Sequence, residues 1–380
     1  MPALGLYIHV PFCRSLCRYC TFNRGLVEPG LKARYARAVV SEIASAPRRL
    51  GLPPAAAADT IYFGGGTPSL LGPAEIDAIV TACADAFDLS RDAEVTLEAN
   101  PDTVTAASLA ALRAAGITRL SLGVQSFRDD ELLRLGRSHD AARARRAFGE
   151  AREAGYDNVS LDLIMWLPAQ AVGDWADSVR AAAALAPEHL SLYILELQAG
   201  VPLLAEMARA GWQQPPDDDA AEMYELAMAR FDAAGYRQYE ISNLARPGRE
   251  SRHNLKYWSD GEWIGFGPGA HSTVSGRRWS NVAGVEDWAA RLEAGEPACT
   301  GERFLTREER WQEALITGLR LAEGLDLGAF RGRYGIDVGA RFAADLQAFE
   351  AQGLASREGG RLRLSRRGML VANEILQVFI

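Results

Sequence analysis

Cys13, Cys17 and Cys20 lie in PFCRSLCRYCTF and form a CxxxCxxC pattern near the start of this 380-residue chain. Three thiolates can hold three irons of a 4Fe–4S cubane and leave the fourth open to a small-molecule chelate. Structural zinc is the competing chemistry, because it takes four soft ligands in a closed tetrahedron. His9 could supply a fourth ligand, yet no second CxxC or HxxxH pair follows. A disulfide with a spare thiol suits poorly an acidic chain that has five cysteines and no secretion signal. Cys83 and Cys299 stand alone and read as small buried hydrophobes.

The elements that must position these cysteines alternate regularly. Short β-rich runs occupy 4–10, 60–65, 94–100, 119–125, 158–164 and 189–195, with helical stretches near 31–50, 73–87, 105–115, 129–154 and 174–186 between them. Six strands separated by five helices, without hairpin signals, predict parallel strands joined by right-handed crossovers. Eight such units would close a barrel, so six predict an open, partial (β/α)6 barrel within an α/β fold. Gly116 and Gly155 stand where helix C-caps are expected. PPAAAAD (53–59) reads as a flexible connector.

From Gly200 the pattern changes, with a helix near 218–234 and a glycine- and aromatic-rich section from Tyr236 to Trp279. After Thr300, helices near 306–320, 326–334 and 338–352 precede a strand–GG–strand and a terminal helix, the pattern of a small winged-helix domain. The expected division is a barrel over 1–200, an α+β extension over 201–299 and a winged-helix-like domain over 300–380. Arg361, Arg363, Arg366 and Arg367 form a local basic run. Twelve arginines against eleven acidic residues leave this last segment nearly neutral, so the run reads as a solvated wing.

The composition is 48% apolar and 24% charged, enough to bury a sizeable core. A net charge of −8 argues against bulk nucleic-acid binding, which needs an excess of basic groups. No apolar run is long enough to span a membrane, and the expected location is the cytoplasm.

In parallel β/α folds, functional groups gather at the C-terminal ends of the strands. The cysteines follow strand one, GGGTP (64–68) follows strand two, Glu98 and Asn100 end strand three, Gln125 ends strand four, and Asp162 lies in strand five. GGGTPS is neither GxGxxG nor GxxxxGK[ST], which excludes a nucleoside triphosphate loop. Its glycines would let backbone amides approach a ligand closely.

The CxxxCxxC loop followed by GGGTP resembles the radical S-adenosylmethionine (SAM) superfamily. LYIHVPFC, YFGGGTPSLL, EANPDT, RLSLGVQSF, LGRSHD, LDLIMWLP and YEISNLARPGRESRHNLKYW resemble the branch holding oxygen-independent coproporphyrinogen III oxidases and the HemW heme chaperones. The resemblance implies a 4Fe–4S cluster on Cys13, Cys17 and Cys20, with SAM chelating the open iron through its amino and carboxylate groups. It implies reductive cleavage of SAM to a 5′-deoxyadenosyl radical, fed by an electron donor. Positions matching the SAM contacts are Tyr7, Tyr19, Gly65, Gly66, Thr67, Glu98, Gln125, Arg137 and Asp162. Glu98 is expected to take the methionyl ammonium and Arg137 a carboxylate.

Two details separate the branches. Where the oxidase has a further cysteine two residues after the cluster, this chain has Phe22, and only about three residues precede its first strand, where the oxidase carries an extension. RHNLKYW contains the HNxxYW signature of the HemW branch, which makes His253 a candidate axial ligand for heme and Tyr257 and Trp258 candidate porphyrin contacts. His271, in GPGAHS, is a weaker candidate, and His9 is expected to support the cluster loop by hydrogen bonding. Relatives have glycine where this chain has Trp166 in IMWLP, a ring that would either narrow the pocket or point into the outer helical layer. The expected function is that of a heme chaperone serving an acceptor protein. The alternative is radical decarboxylation of coproporphyrinogen III or another radical reaction on a tetrapyrrole.

Overall fold

The computed structural model describes residues 3–380. A twelve-stranded sheet organises its first 304 residues. In chain order its strands are β1 (Leu4–Val10), β2 (Ala57–Gly65), β3 (Asp88–Ala99), β4 (Arg119–Gln125), β5 (Val159–Met165), β6 (His189–Ile194), β7 (Arg237–Gln238), β8 (Asn243–Ala245), β9 (Trp263–Phe266), β10 (His271–Val274), β11 (Arg277–Asn281) and β12 (Cys299–Phe304). The spatial order is β12-β11-β10-β9-β1-β2-β3-β4-β5-β6-β8-β7.

Strands β1 to β6 run parallel in sequence order, as the alternation predicted. Their near-continuous apolar runs suit strands buried on both faces. The parallel run has one member more than expected, because β9 pairs in parallel with the free side of β1. Beyond it β10 and β11 form a hairpin around Ser275 (φ 51°) and Gly276 (φ 75°), two left-handed residues that fit a tight two-residue turn. At the opposite edge β8 closes antiparallel onto β6. The extension thus flanks the barrel on both sides and shares its hydrophobic core, which reaches from Leu4 to Ala298.

Three local expectations need correction. PPAAAAD is no loose connector over its full length, since β2 begins at Ala57 and pairs there with Asp88. Cys83 is buried in the core, but Cys299 is only half-buried on the outermost strand. The helix foreseen over 129–154 is two helices, Asp129–Leu135 and Ala141–Glu153. Gly136 ends the first with φ 71°, and Asp140 caps the second by accepting from the Arg143 amide. This break has a use, because the connection it creates carries Arg137.

Residues from Trp311 to Phe379 pack a second core. Helices Arg307–Gly318, Leu327–Tyr334 and Ala343–Ala351 precede the wing Ala355–Glu358/Arg361–Leu364. Of the basic run, Arg361 pairs with Glu323 and Arg366 with Asp232 of the barrel side, at 2.8 and 2.6 Å, while the Arg363 guanidinium donates to the Glu323 carbonyl. These arginines fasten the domain to itself and to its neighbour.

Gly136→Ala tests the helix break. Its Cβ would sit 2.9 Å from the Arg18 side chain at a left-handed backbone position, so the substitution is expected to destabilise the protein by about 1–2 kcal/mol in urea titration.

Candidate functional site

Parallel pairing brings the C-terminal ends of six strands to one mouth, where they line a cavity of about 330 Å³. The three cysteines, Tyr19, Gly65, Gly66, Thr67, Glu98, Gln125, Arg137 and Asp162 all contribute to it. Tyr7 stands behind this wall, with its hydroxyl 3.1 Å from His9 Nδ1. His253 lies deeper still.

The cysteine loop is fastened from several directions. The Arg24 guanidinium donates to the carbonyls of Cys17 and Cys20 at 3.1 and 2.5 Å. The Arg18 amide donates to Leu135 O, and Leu203 donates back to Arg18 O. Two sulfurs already have donors: Thr67 Oγ1 lies 3.6 Å from Cys13 Sγ and Arg137 Nη1 3.2 Å from Cys17 Sγ. Such outer-sphere donors tune an iron–sulfur centre once thiolates hold it.

The glycine run works differently from the sequence expectation. The amides of Gly66 and Thr67 donate to Val10 O and Phe12 O, and that of Gly65 donates to Glu98 Oε2, so protein acceptors take all three. What the run supplies is close approach. Gly65 has φ 110°, and a Cβ there would lie 2.6 Å from the His9 ring; one on Gly66 would lie 2.6 Å from Phe12 O. His9 is itself fixed by Asn23 O, 2.8 Å from Nε2, in the supporting place foreseen for it.

Glu98 is half-buried in the cavity wall. Tyr62 donates to its Oε1 at 2.8 Å, and no cation pairs with it among the described residues. Burial pushes its carboxyl up to about 7, against the hydrogen bond from Tyr62. Asp162 accepts from Ser121 and Ser160, and burial raises it as well. Arg137 reaches in from the connection after Gly136, donating also to Asn100 Oδ1 and Gly123 O at 2.6 and 2.8 Å, while its Nε is buried without a partner.

Trp166 does not narrow this cavity. It turns outward, and its indole N–H donates to Pro215 O at 2.8 Å. Its φ of 61° explains why glycine suits the position.

His253 does not fit the expectation of an axial heme ligand. The ring is 1% exposed and both nitrogens are engaged, Nδ1 2.8 Å from Thr60 Oγ1 and Nε2 2.9 Å from Tyr257 OH. It stacks on Tyr62 at 5.2 Å and thereby backs the hydroxyl that donates to Glu98. Trp258 lies under the Arg320 guanidinium of the C-terminal domain, 4.7 Å away, and Tyr257 packs edge-on against Trp263. Sequence reasoning missed Arg24 and Tyr62. Arg24 was visible as a cation just past the cluster motif, whereas Tyr62 had no signal beyond a strand pattern.

Comparison with known proteins agrees with this geometry. Residues 7–182 match the Radical SAM superfamily and residues 305–371 the HemN C-terminal domain. The heme chaperone HemW of Bacillus subtilis is 35% identical, over 98% of each chain. That of Mycobacterium tuberculosis is 38% identical over 99% of this chain and 94% of its own. The chain belongs to the HemW family. The bovine mitochondrial radical S-adenosyl methionine domain-containing protein 1 is 36% identical over 98% of this chain. The structure of coproporphyrinogen III oxidase (HemN) from Escherichia coli superposes with a TM-score of 0.85 over 99% of this chain at 24% identity, a likeness of fold.

A HemW-family chain is a radical SAM protein, and the mouth residues fit that superfamily's 4Fe–4S cluster and SAM. The donor set is three sulfurs on one cavity wall. Thiolates on a cubane each take a separate iron, which three sulfurs spread along one wall can do. Glu98 offers a carboxylate without a salt-bridge partner among the described residues, and Arg137 a buried N–H without a partner.

Two outcomes follow. Gly65→Ala introduces strain of about 1–3 kcal/mol against His9 and should weaken SAM binding about tenfold or more in equilibrium dialysis of cluster-loaded protein. With Glu98 in the role the resemblance implies, the SAM dissociation constant should also rise below about pH 7, by about tenfold per unit, because only the ionised carboxylate would pair with the methionyl ammonium; Glu98→Gln should flatten that dependence.

Proposed function

We propose that this protein is a cytoplasmic heme chaperone that carries a 4Fe–4S cluster and SAM at the barrel mouth, binds heme, and delivers it to an acceptor protein. The observation that carries this reading is the likeness to heme chaperones at 35–38% identity along the full chain. Phe22 supports it, standing 67% exposed where the oxidase branch has a cysteine. Among the described residues no helix is long and apolar enough to cross a membrane.

Cys13, Cys17 and Cys20 would hold the cluster, with Arg137 and Thr67 donating to two of their sulfurs. When bound, the cluster and SAM supply a one-electron reductant beside a sulfonium. Glu98 would orient the methionyl ammonium, held in turn by Tyr62 and the Gly65 amide. Arg137, braced by Asn100, would take the carboxylate. Tyr19, Gln125 and Asp162 would complete the wall around the rest of SAM. His253 acts as a positioning residue through Tyr62.

The test is anaerobic. Cluster-loaded protein receives SAM, a strong reductant and coproporphyrinogen III, with products read by mass spectrometry, and a parallel sample is titrated with hemin. The expected outcome is near-stoichiometric heme uptake and no doubly decarboxylated porphyrinogen. Stoichiometric or greater formation of that product would make the protein an oxidase despite Phe22.

A further inference from the structure

Branched apolar side chains ordinarily fill the interior of a parallel β/α barrel. Here β3 to β6 bury Thr96, Arg119, Ser121, Ser160, His189 and Ser191 instead. Some of these polar groups lead away from the mouth. Asp162 lines the mouth cavity, and the Ser160 hydroxyl donates to its Oδ1 at 3.2 Å. Ser160 Oγ lies 2.8 Å from His189 Nδ1, and His189 Nε2 lies 2.8 Å from Tyr239 OH. Ser160 and His189 are fully buried, whereas Tyr239, between β7 and β8, is half-buried. The Tyr239 carbonyl accepts from the Ala322 amide at 2.9 Å, so this outer end lies where the C-terminal domain meets the barrel. We propose that Ser160, His189 and Tyr239 form a proton relay through which Asp162 exchanges its proton with solvent while a ligand fills the mouth. The inference deepens the reading of the mouth as a SAM site and rests on it.

The hydrogen-bond partners leave one arrangement when Asp162 is ionised. Ser160 gives its single proton to the carboxylate, so it must accept from His189 Nδ1–H. A neutral imidazole then has a bare Nε2, which accepts from the Tyr239 hydroxyl; the tautomer is assigned from these partners. The Tyr239 oxygen still accepts from the Ser251 amide at 3.4 Å. Every donor along the chain thus points toward Asp162.

Moving each proton one place inward protonates the carboxylate. Hydronium gives a proton to the Tyr239 oxygen, Tyr239 gives its own to Nε2, Nδ1 gives one to Ser160, and Ser160 gives one to Asp162. Each bond to hydrogen that breaks is matched by one that forms, and nothing is oxidised. His189 emerges as its other tautomer, and the outward shift is the reverse.

Such a relay needs an imidazole that stays neutral. Burial, aided by the Arg119 charge, holds His189 well below its ordinary range. It also needs a proton to move. Burial raises Asp162, against hydrogen bonds from Ser121, Ser191 and Ser160 and the charge of Arg119. Glu98 on β3 and Tyr193 on β6 face the same carboxyl. An arriving ammonium or sulfonium favours the ionised form and expels the proton. The ligand that does so covers Asp162 from the mouth, which leaves the relay as the way out.

The experiment mixes full-length, cluster-loaded protein with SAM in a stopped-flow infrared cell at mildly acidic pH, without reductant. It follows the protonated-carboxyl band of Asp162, assigned by its loss in Asp162→Asn. Wild type should lose this band as fast as SAM binds. Tyr239→Phe, which keeps the ring, and His189→Gln should reach the wild-type SAM affinity yet deprotonate Asp162 about tenfold or more slowly. Unaltered cluster absorbance and urea midpoint report an intact fold, and a merely structural role would leave deprotonation as fast as binding. If Tyr239→Phe deprotonates Asp162 at the wild-type rate, or SAM binds without changing the band, the relay is wrong while the SAM site stands. If wild type binds no SAM, both readings fall.

Discussion

Strand β1 is hydrogen-bonded in parallel on both sides, to β2 over Leu4–Val10 and to β9 over Gly5–Ile8. Everything at the mouth depends on this double pairing. The cysteine loop leaves the end of β1, the glycine run leaves the end of β2, and the GPGAHS segment leaves the end of β9. A one-residue slip of β1 would exchange its two faces, turning His9 away from Gly65 and Tyr7 away from the ring stack. The side chains of Leu4, Leu6, Ile8 and Val10 are fully buried, and burying each is worth about 1.5–3 kcal/mol, which makes such a slip prohibitive. The β9 side of this arrangement also explains why the extension is no appendage: it completes the sheet that aims the cluster loop.

A second layer of organisation is electrostatic. Glu98, Asp162 and Arg119 lie close together in the barrel interior, where burial alone would drive both carboxyls neutral. Hydroxyl donors from Tyr62, Ser121 and Ser160 and the charge of Arg119 favour the ionised forms and limit that rise. Glu98 is thereby poised near neutrality, so a ligand cation can complete its ionisation. Tyr62 stacks between Tyr7 and His253, which holds its hydroxyl at this carboxylate.

Much of this was legible from residue order. Short β-rich runs separated by helical stretches dictated six parallel strands, and strand ends marked Glu98, Gln125 and the glycine run, because topology alone collects them at one face. What stayed hidden was set by backbone angle or by long-range packing. Gly136 ends a helix inside a sequence with strong helical composition throughout, so only its left-handed φ distinguishes it from an interior glycine. β9 is four residues long and pairs with a strand more than 250 positions earlier, a contact no local pattern can reveal. His253 looked like a ligand because sequence shows the donor atoms of an imidazole but not the Thr60 and Tyr257 hydroxyls that occupy them.

The fastening of the cysteine loop also bears on biosynthesis. Cys13, Cys17 and Cys20 lie far upstream of their anchors, for their loop is tied to Leu135, Leu203, Pro268 and Ala283. A ribosome-bound chain therefore presents three thiols long before it presents their finished cradle. The last of these ties forms only when residue 283 has emerged, so the loop is begun first and completed late. A cluster held by these thiols would therefore find its full cradle only after residue 283 has been made, and the thiols would have to stay reduced until then.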